Sequence, residues 1–290
     1  MTRILVTGAT GMLGASVIPW LKHCGHTVLR HGFRGGADYQ ADLRDHASTA
    51  ALLDQTRPEC VINLAALTDV DLCERHPDAA YRLNVACVDH LCRWIRNNGT
   101  NTHLVQISTD QVYDGMGPHR ESAVTVSNTY AFSKIAAEPL AVNVLGTVLR
   151  TNFFGRSRCP GRSSFSDWVY ESIRSEQPLA LFEDVLFSPL SLATVSDMVE
   201  RVVRQRPHGI FNLGAADGLS KADFAHAFAE TLALPTAQLR RVRSDGAGLS
   251  AYRPKDMRMN SSLFERSLGV RLPAVRDELL AIRSDYAQLP

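Results

Sequence analysis

The sequence lacks an excess of charge of either sign. Its 31 basic and 30 acidic residues give a formal net charge of +1 across 290 residues. A chain this close to neutrality has no global electrostatic field to attract nucleic acid or a membrane surface. We therefore expect neither nucleic acid nor a membrane as a partner, and any anionic ligand must be held by a local site.

Long hydrophobic runs are also missing. Nowhere do eighteen apolar residues follow one another, and Met1-Thr2-Arg3 leads into a short strand rather than the apolar region of a signal peptide. With 45% hydrophobic and 21% charged residues, the chain has the composition of a globular protein that can bury a sizeable core. We expect it to act in the cytoplasm.

Sequence patterns typical of metal sites and disulfides do not occur. The six cysteines contain no Cys-x-x-Cys pair, which favours buried thiols over disulfides or zinc ligands. The ten histidines contain no His-Glu-x-x-His motif. We therefore predict that the protein binds no metal.

A glycine-rich stretch follows the first predicted strand directly. Ile4-Leu5-Val6 leads into Gly8-Ala9-Thr10-Gly11-Met12-Leu13-Gly14, and apolar residues then recur at helical spacing. Gly8 can take the backbone angles of a tight turn, Gly11 lets a pyrophosphate approach, and Gly14 lets the helix pack closely. No Gly-Lys-Ser/Thr follows, which excludes the phosphate loop of nucleoside triphosphatases. The stretch predicts a dinucleotide site at a helix N-terminus, and an ordinary turn is the alternative.

The end of the second predicted strand bears on the choice of cofactor. An acidic residue there accepts hydrogen bonds from the adenosine ribose of NAD, whereas a basic residue can pair with the 2′-phosphate of NADP. The strand at 27–30 ends in Arg30, Arg34 follows, and Asp38 comes only after several glycines. The pattern favours NADP(H), and a solvated basic loop is the alternative.

Strands alternate with helices through the first half of the chain. This order predicts an α/β fold with a Rossmann-type, doubly wound parallel sheet and ligands at the carboxyl ends of the strands. A single helix is predicted from Pro77 to Asn98. We predict an NADP-binding domain at 1–155, with later segments returning to the sheet, and at 156–290 mainly a smaller substrate-binding lobe.

Tyr130 and Lys134 lie four residues apart in a predicted helix, and therefore on one face of it. A nearby cation favours the phenolate form of tyrosine, whose unperturbed pKa is about 10. A hydroxyl from Ser108 or Thr109, at a neighbouring strand end, could orient a carbonyl toward Tyr130. Hydride from a nicotinamide would then be matched by a proton from the phenol. Taken alone, the pair is more often a surface tyrosine and a solvated lysine.

Several further segments are distinctive when taken together with the glycine turn and the Tyr130–Lys134 pair. They are Asn63-Leu64-Ala65-Ala66-Leu67-Thr68, Val70-Asp71 with Glu74, Asn84, Ile107-Ser108-Thr109-Asp110-Gln111-Val112-Tyr113-Asp114-Gly115, Leu149-Arg150-Thr151 and Arg253-Pro254. Over nearly the whole chain these segments resemble the extended short-chain dehydrogenases/reductases, and within them the dTDP-4-dehydrorhamnose reductases.

The resemblance implies reduction of the 4-keto group of a nucleotide-linked 6-deoxyhexose by NADPH. It also implies three catalytic residues: Thr109 binds the keto oxygen, Tyr130 donates the proton, and Lys134 holds the nicotinamide ribose and lowers the phenol pKa. We expect the cofactor to contact Gly8, Thr10, Gly11, Met12, Leu13, Gly14, Arg30, Arg34, Asp42, Leu43, Ala65, Ala66, Tyr130 and Lys134. We expect the substrate to contact Thr68, Ser108, Asp110, Asn152, Phe153 and Arg253.

Related sugar-nucleotide dehydratases carry an Asp-Glu pair after the threonine, where this chain has Asp110-Gln111. An amide cannot act as the general base that removes a proton from the sugar, so a reductase is favoured. Asp110 either orients the sugar or caps the strand end. Where rhamnose-pathway reductases commonly carry a tryptophan, this chain reads Thr151-Asn152-Phe153, which leaves the base and the sugar open. Arg253 lies in a basic segment and is a candidate for the substrate pyrophosphate.

Two other functions remain open from the sequence. One is an NADP-binding regulatory subunit without turnover, because relatives of this family include a non-catalytic partner of methionine adenosyltransferase. The other is a sugar-nucleotide epimerase or dehydratase of the same superfamily. The intact catalytic three favour the reductase, and the resemblance also leaves room for a homodimer.

Overall fold

The computed structural model describes residues 1–99, 101–245 and 248–287. The last three residues of the predicted lobe, 288–290, lie outside this range. The strands are β1 (Arg3–Thr7), β2 (Thr27–Gly32), β3 (Tyr39–Gln40), β4 (Cys60–Asn63), β5 (His103–Thr109), β6 (Thr147–Thr151), β7 (Phe153–Phe154), β8 (Leu179–Phe182), β9 (Leu186–Phe187), β10 (Leu190–Ser191), β11 (Gly209–Leu213), β12 (Leu219–Ser220) and β13 (Leu239–Val242).

The helices alternate with these strands. They are α1 (Met12–His23), α2 (His46–Thr56), α3 (Val70–Arg75), α4 (Pro77–Tyr81), α5 (Cys87–Asn97), α6 (Thr129–Val142), α7 (Phe165–Arg174), α8 (Leu192–Gln205), α9 (Lys221–Thr231), α10 (Ser262–Leu268), α11 (Val275–Ala281) and α12 (Arg283–Ala287). A π-helical turn, Arg82–Ala86, joins α4 to α5, and a 3-10 turn, Asp110–Val112, follows β5. None of the helices in the described residues is long and apolar enough to cross a membrane.

Seven strands form one parallel sheet in the order β11-β6-β5-β4-β1-β2-β3. The chain runs outward from β1 to β3 and then returns to β4 on the other side of β1. This reversal opens a crevice at the carboxyl ends of β1 and β4, where ligands of such sheets bind. The predicted Rossmann-type fold is confirmed.

The sheet is buried on both faces. Its central strands contain almost only buried residues, and apolar clusters cover the two sides. α1 packs on one face through Val17 and Leu21, which recur at helical spacing and are fully buried. α2, α5 and α6 supply the cluster on the opposite face. The α/β/α layering follows from strands that read as continuous apolar runs.

The later segments form two-stranded ribbons beside the sheet. β8 pairs with β13, β9 with β12, and β7 with β10. Both β11 and α8 return to the first half: β11 adds to the sheet edge beside β6, and α8 packs against α1. The return of later segments agrees with the expectation, while the domain division at residue 155 stays a prediction.

Two predicted helices differ from the structure. The helix expected from Pro77 to Asn98 is interrupted by the π-helical turn at Arg82–Ala86. The terminal helix, which apolar spacing predicts from about Ala274 to Tyr286, divides into α11 and α12 around Ile282. Apolar spacing predicts that a helix forms, but one extra residue in a turn leaves that spacing nearly unchanged.

Candidate active site

A cavity of about 670 Å³ lies at the carboxyl ends of the central strands. Its wall is built from residues that end or follow β1, β2, β4, β5 and β6, together with the start of α1 and one face of α6. The lining residues are Gly8, Thr10, Gly11, Met12, Leu13, Gly14, His31, Phe33, Ala41, Asp42, Leu43, Arg44, Leu64, Ala65, Ala66, Thr68, Leu83, Ile107, Ser108, Thr109, Asp110, Gln111, Tyr130, Lys134, Thr151, Asn152, Phe153 and Arg162.

The glycine turn forms the floor of this cavity at the start of α1. Gly8 has a φ of +63°, and a Cβ there would come within 2.8 Å of Ala65 N. At Gly14 a Cβ would lie 2.4 Å from the Ala9 carbonyl oxygen, so the helix packs closely only because this residue is glycine. Gly11 is the N-cap of α1 and offers no side chain to the first-turn N–H groups. Those donors and the helix dipole suit the pyrophosphate of a dinucleotide.

The three side chains predicted as catalytic meet in the cavity. Thr109 is the last residue of β5, and Tyr130 and Lys134 lie one turn apart on α6. The Thr109 side chain lies next to the Tyr130 phenol and favours the ionised form of that phenol. Lys134 Nζ donates a hydrogen bond to the Ile107 carbonyl oxygen at 2.7 Å. A carbonyl substrate beside Thr109 would therefore lie within reach of the phenol.

Burial dominates the electrostatics of these groups. It raises the pKa of Tyr130 above its usual value of 10.0, and it lowers the pKa of Lys134 to about 8. The negative charge of Asp110 also raises the pKa of Tyr130. The lowering of that pKa by Lys134, which the resemblance implies, stays a prediction. A phenol with a raised pKa is protonated at neutral pH, which is the state that a proton donor needs.

Asp110 follows Thr109 and is almost fully buried. Its carboxylate accepts hydrogen bonds from Asn152 Nδ2 at 2.7 Å and from Thr109 Oγ1 at 3.3 Å. Burial raises the pKa of Asp110 to about 6, while the positive charge of Lys221 acts in the opposite direction. The carboxylate can accept a further hydrogen bond from a sugar hydroxyl.

Ser108 lines the cavity, but its hydroxyl is engaged in a buried network. It donates to Glu138 Oε1 at 2.6 Å, and Glu138 forms an ion pair with Arg150 through Oε2 and Nη2 at 2.6 Å. Arg150 Nη1 also donates to the Tyr113 phenol oxygen at 2.6 Å. This network ties β5 to α6 and β6, so Ser108 fixes the strand end beside Thr109.

The loop after β4 is held by Asn84, which lies in the π-helical turn. Asn84 Oδ1 accepts a hydrogen bond from Leu67 N at 2.7 Å, and its Nδ2 donates to the Leu67 oxygen at 3.0 Å and to Ser133 Oγ at 2.8 Å. The extra residue of a π turn changes the direction of the side chains that follow it. This contact fixes the segment that carries Thr68 into the cavity wall.

The structure does not bring Arg30 to the cavity. Its guanidinium pairs with Asp38, with Nη2 2.6 Å from Oδ1, because β3 runs beside β2 and returns Asp38 to the strand end. Asp38 was predicted to come too late in the chain to act as the acidic residue at this strand end, whereas the structure brings its carboxylate there. Arg34 does not line the cavity either, but its guanidinium lies 5.9 Å from the ring centroid of Phe33, which does.

Two other arginines, which the sequence analysis did not single out, line the cavity. Arg44 lines the cavity, its guanidinium lies 4.8 Å from the Phe33 ring centroid, and it pairs with Asp42 at 2.7 Å. Arg162 lines the cavity from a loop that follows β7. This loop is anchored by Cys159 Sγ, which donates a hydrogen bond to the Thr10 carbonyl oxygen at 3.1 Å. The sequence could not indicate either role, because both positions depend on how loops return to the cavity.

A second cavity of about 290 Å³ joins the first at Gln111 and Asn152, which line both. Arg253 lies in its wall rather than in the main cavity, and donates to Asp71 Oδ2 at 2.7 Å. Lys221 also lines this cavity. The remaining lining residues are Phe165, Trp168, Ala180, Leu181, Phe182, Val185, Pro254 and Met257.

Most of the predicted site residues therefore gather in one place. All of them line the main cavity except Arg30 and Arg34, and except Arg253, which lines the adjoining one. The sequence analysis missed Phe33, Arg44, Gln111, Thr151, Arg162 and Lys221 as site residues. Gln111 and Thr151 are adjacent to predicted residues, so proximity to a strand end could have indicated them. No cluster of His, Cys, Asp or Glu suited to a metal ion occurs in the described ranges.

Comparison with known proteins gives a family for the whole chain. The model described as "RmlD substrate binding domain" matches residues 1–287. The chain is 29% identical over 266 residues to a dTDP-4-keto-6-deoxy-D-glucose reductase of Streptomyces niveus, covering 87% of this chain and 86% of that protein. It is 27% identical over 315 residues to the methionine adenosyltransferase 2 subunit beta of Danio rerio, covering 98% and 92%.

A solved structure supports the fold over the same length. The dTDP-4-dehydrorhamnose reductase of Bacillus anthracis str. Ames, in complex with NADP, superposes with a TM-score of 0.86 at 21% identity, covering 98% of this chain and 99% of that one. At this identity the likeness establishes the architecture. Together with the family model, it shows that this chain belongs to the RmlD substrate binding domain family, within the extended short-chain dehydrogenases/reductases that its motifs resemble.

Proposed function

We propose that this protein is an NADP(H)-dependent reductase of the 4-keto group of a nucleotide-linked 6-deoxyhexose. The observation that carries the proposal is the meeting of Thr109, Tyr130 and Lys134 beside the glycine turn in one cavity. The reductase named among the relatives and the NADP complex among the structural neighbours support it.

The residues around the glycine turn fit a dinucleotide. A Cβ at Gly11 would meet only the Gly8 oxygen, at 3.2 Å, so this backbone faces open space. The uncapped N–H groups of α1 would hold the pyrophosphate, and Lys134 would hold the nicotinamide ribose. When bound, the cofactor supplies the hydride.

The protein's own residues supply orientation and the proton. The Thr109 hydroxyl, which donates its single proton to Asp110 in this structure, turns that proton to the keto oxygen, and Tyr130 transfers its phenolic proton to the same oxygen as the alcohol forms. Ser108 and Glu138 hold the end of β5, which keeps Thr109 aligned with the phenol. Asp110 and Asn152 border the same position and are placed to contact the sugar.

A regulatory subunit without turnover is the second candidate, because methionine adenosyltransferase 2 subunit beta is among the relatives. A third, an epimerase or dehydratase, is less favoured because Gln111 stands where a dehydratase needs a base. The complete set of Thr109, Tyr130 and Lys134 favours reduction over both.

NADPH oxidation with a panel of 4-keto-6-deoxyhexose nucleotides tests the proposal. Each keto-sugar is generated in place by a dehydratase, and NADPH absorbance is followed with and without the protein. Turnover of at least one member, giving a stable alcohol product, is the expected result. Tight NADPH binding without oxidation across the whole panel would favour the regulatory subunit instead.

The proposal extends to the setting of the reaction. All six cysteines, which lie in the described residues, are free thiols, as expected for a protein of the reducing cytoplasm. A homodimer remains an expectation from the resemblance, to be measured by light scattering.

A further inference from the structure

Lys221 has an unusual position at the first residue of α9. Its Nζ lies 3.3 Å from the ring centroid of Phe187 and 4.6 Å from that of Phe165, at the wall of the second cavity. In the described part of the chain, this ammonium makes no hydrogen bond or ion pair. Aromatic faces stabilise a cation but accept its N–H groups weakly, so donors remain for a ligand.

Burial disfavours the protonated form of Lys221, and one carboxylate favours it. Burial lowers the pKa of Lys221 to about 8, and Asp110 is the group that favours its charged form. The effect is mutual, since Lys221 favours the ionised form of Asp110. Yet the two side chains are not in ion-pair contact, and each borders a different one of the two joined cavities.

The two cavities join next to the reacting groups. Asn152 lines both cavities and donates to Asp110, whose other oxygen accepts from Thr109. A ligand carbonyl at Thr109 would therefore place the adjoining part of the molecule near Asp110 and Lys221. A hydroxyl suits this position because it can donate to a carboxylate and accept from an ammonium at once.

We propose that Lys221 is a specificity-determining residue, which with Asp110 binds one hydroxyl of the substrate's hexose ring. The hydroxyl donates to the Asp110 carboxylate and accepts from the Lys221 ammonium. The inference rests on the proposed function, because it requires a sugar beside Thr109. A phosphate fits this position poorly, since the nearby carboxylate of Asp110 repels it, whereas Arg253 offers a second cation in the wall of the same cavity.

Calorimetric binding to the NADP⁺-loaded protein tests the proposal. Two ligands are titrated: a nucleotide-linked 6-deoxyhexose of the product class, and the same nucleoside diphosphate without the hexose. Lys221→Met keeps the length of the side chain and removes its charge and donors. We expect it to weaken the hexose-bearing ligand about 10- to 100-fold, as for loss of a hydrogen bond to a charged group, and to leave the nucleoside diphosphate unchanged.

Lys22→Met is the matched control, because Lys22 is exposed near the end of α1 and lies outside both cavities. It should bind both ligands as the wild type does, and the thermal melting of each variant checks its folding. A double variant with Asp110→Asn should lose less than the sum of the two single losses, because both side chains bind the same hydroxyl.

Three results would overturn the inference. First, Lys221→Met could weaken the binding of both ligands equally, which would place the diphosphate at this residue. Second, it could weaken the binding of neither ligand. Third, the wild type could bind the hexose-bearing ligand no more tightly than the nucleoside diphosphate. Failure of the proposed function is distinct, because it appears as hexose binding without NADPH oxidation. In that case the comparison of the two ligands still decides the role of Lys221.

Discussion

The two joined cavities are built in different ways. Nearly every residue of the larger one ends or follows a strand of the central sheet, so its position follows from the strand order. The smaller one collects side chains from α7, β8, α9 and the segment around Arg253, which meet only through tertiary packing. The shape of the larger cavity therefore depends on local sequence and sheet topology, whereas the lining of the smaller cavity can change without disturbing the sheet.

The largest effect is expected in the larger cavity, from Tyr130→Phe. The substitution removes the proton donor but keeps the ring that packs with Val70 and Cys73. Single-turnover NADPH oxidation should slow by about 10² to 10⁴-fold, while NADPH binding is retained. Tyr81→Phe is the control, because Tyr81 is 57% exposed on α4. If Tyr130→Phe kept most of its rate, another group, with Asp110 the first suspect, would deliver the proton.

Arg253→Ala should distinguish the roles of the two cavities, because it should weaken binding of the sugar nucleotide and leave binding of NADPH unchanged. The guanidinium has donors beyond those used for Asp71 and the Ala251 carbonyl oxygen, and a diphosphate would take them. We expect KM for the sugar nucleotide to rise about 10- to 100-fold, with the NADPH dissociation constant unchanged.

Arg258→Ala is the matched control for this substitution, since Arg258 is likewise a half-buried arginine paired with a carboxylate, that of Asp256, but does not line the second cavity. It should leave KM near the wild-type value. A loss of NADPH affinity in Arg253→Ala would contradict the division of roles between the two cavities.

The pH dependence of kcat/KM should report Asp110 on the acidic side and two lysines on the basic side. Asp110 is mostly ionised above about pH 6, and Lys134 and Lys221 are mostly protonated below about pH 8. Activity should therefore fall about tenfold per pH unit below the first value and at least tenfold per unit above the second. Asp110→Asn should abolish the acidic limb, and Lys221→Met should keep a basic limb that comes from Lys134. An acidic limb that persists in Asp110→Asn would assign it to another group.

A smaller effect is expected at the part of the larger cavity that lies beside Phe33. Replacing Arg34 and Arg44 together by alanine should weaken NADPH about tenfold and leave NADH unchanged, because both guanidinium groups lie on Phe33 near the cavity wall. Arg30→Ala should change neither, since Arg30 neither lines the cavity nor lies on Phe33. Fluorescence titration of both cofactors decides this, and a larger loss in Arg30→Ala would restore the original assignment.

What the sequence could predict depends on distance along the chain. Gly8, Gly11 and Gly14 act within one turn, and Tyr130 and Lys134 share a helical face, so spacing alone brings each set together. The doubly wound parallel sheet follows from the alternation of strands and helices, and the family assignment from motifs at the strand ends. These predictions of fold and family are confirmed.

The wrong or missing assignments involve contacts between distant segments. The pairing of Arg30 with Asp38 depends on the turn between β2 and β3, and the position of Arg162 on a loop that packs against Thr10. Lys221 appears as an ordinary polar residue at the start of a helix until Phe187 and Asp110 are seen around it. No local sequence pattern predicts these contacts, because each one joins two segments whose relative position is set by the rest of the fold.

The strand order also bears on how the chain can fold during synthesis. In the sequence β11-β6-β5-β4-β1-β2-β3, each strand that leaves the ribosome adds to an existing edge: β2 and β3 on one side of β1, then β4, β5, β6 and finally β11 on the other. No strand has to insert between two that are already paired. The sheet can therefore grow as translation proceeds, and the glycine turn and Thr109 are in place before α9 delivers Lys221.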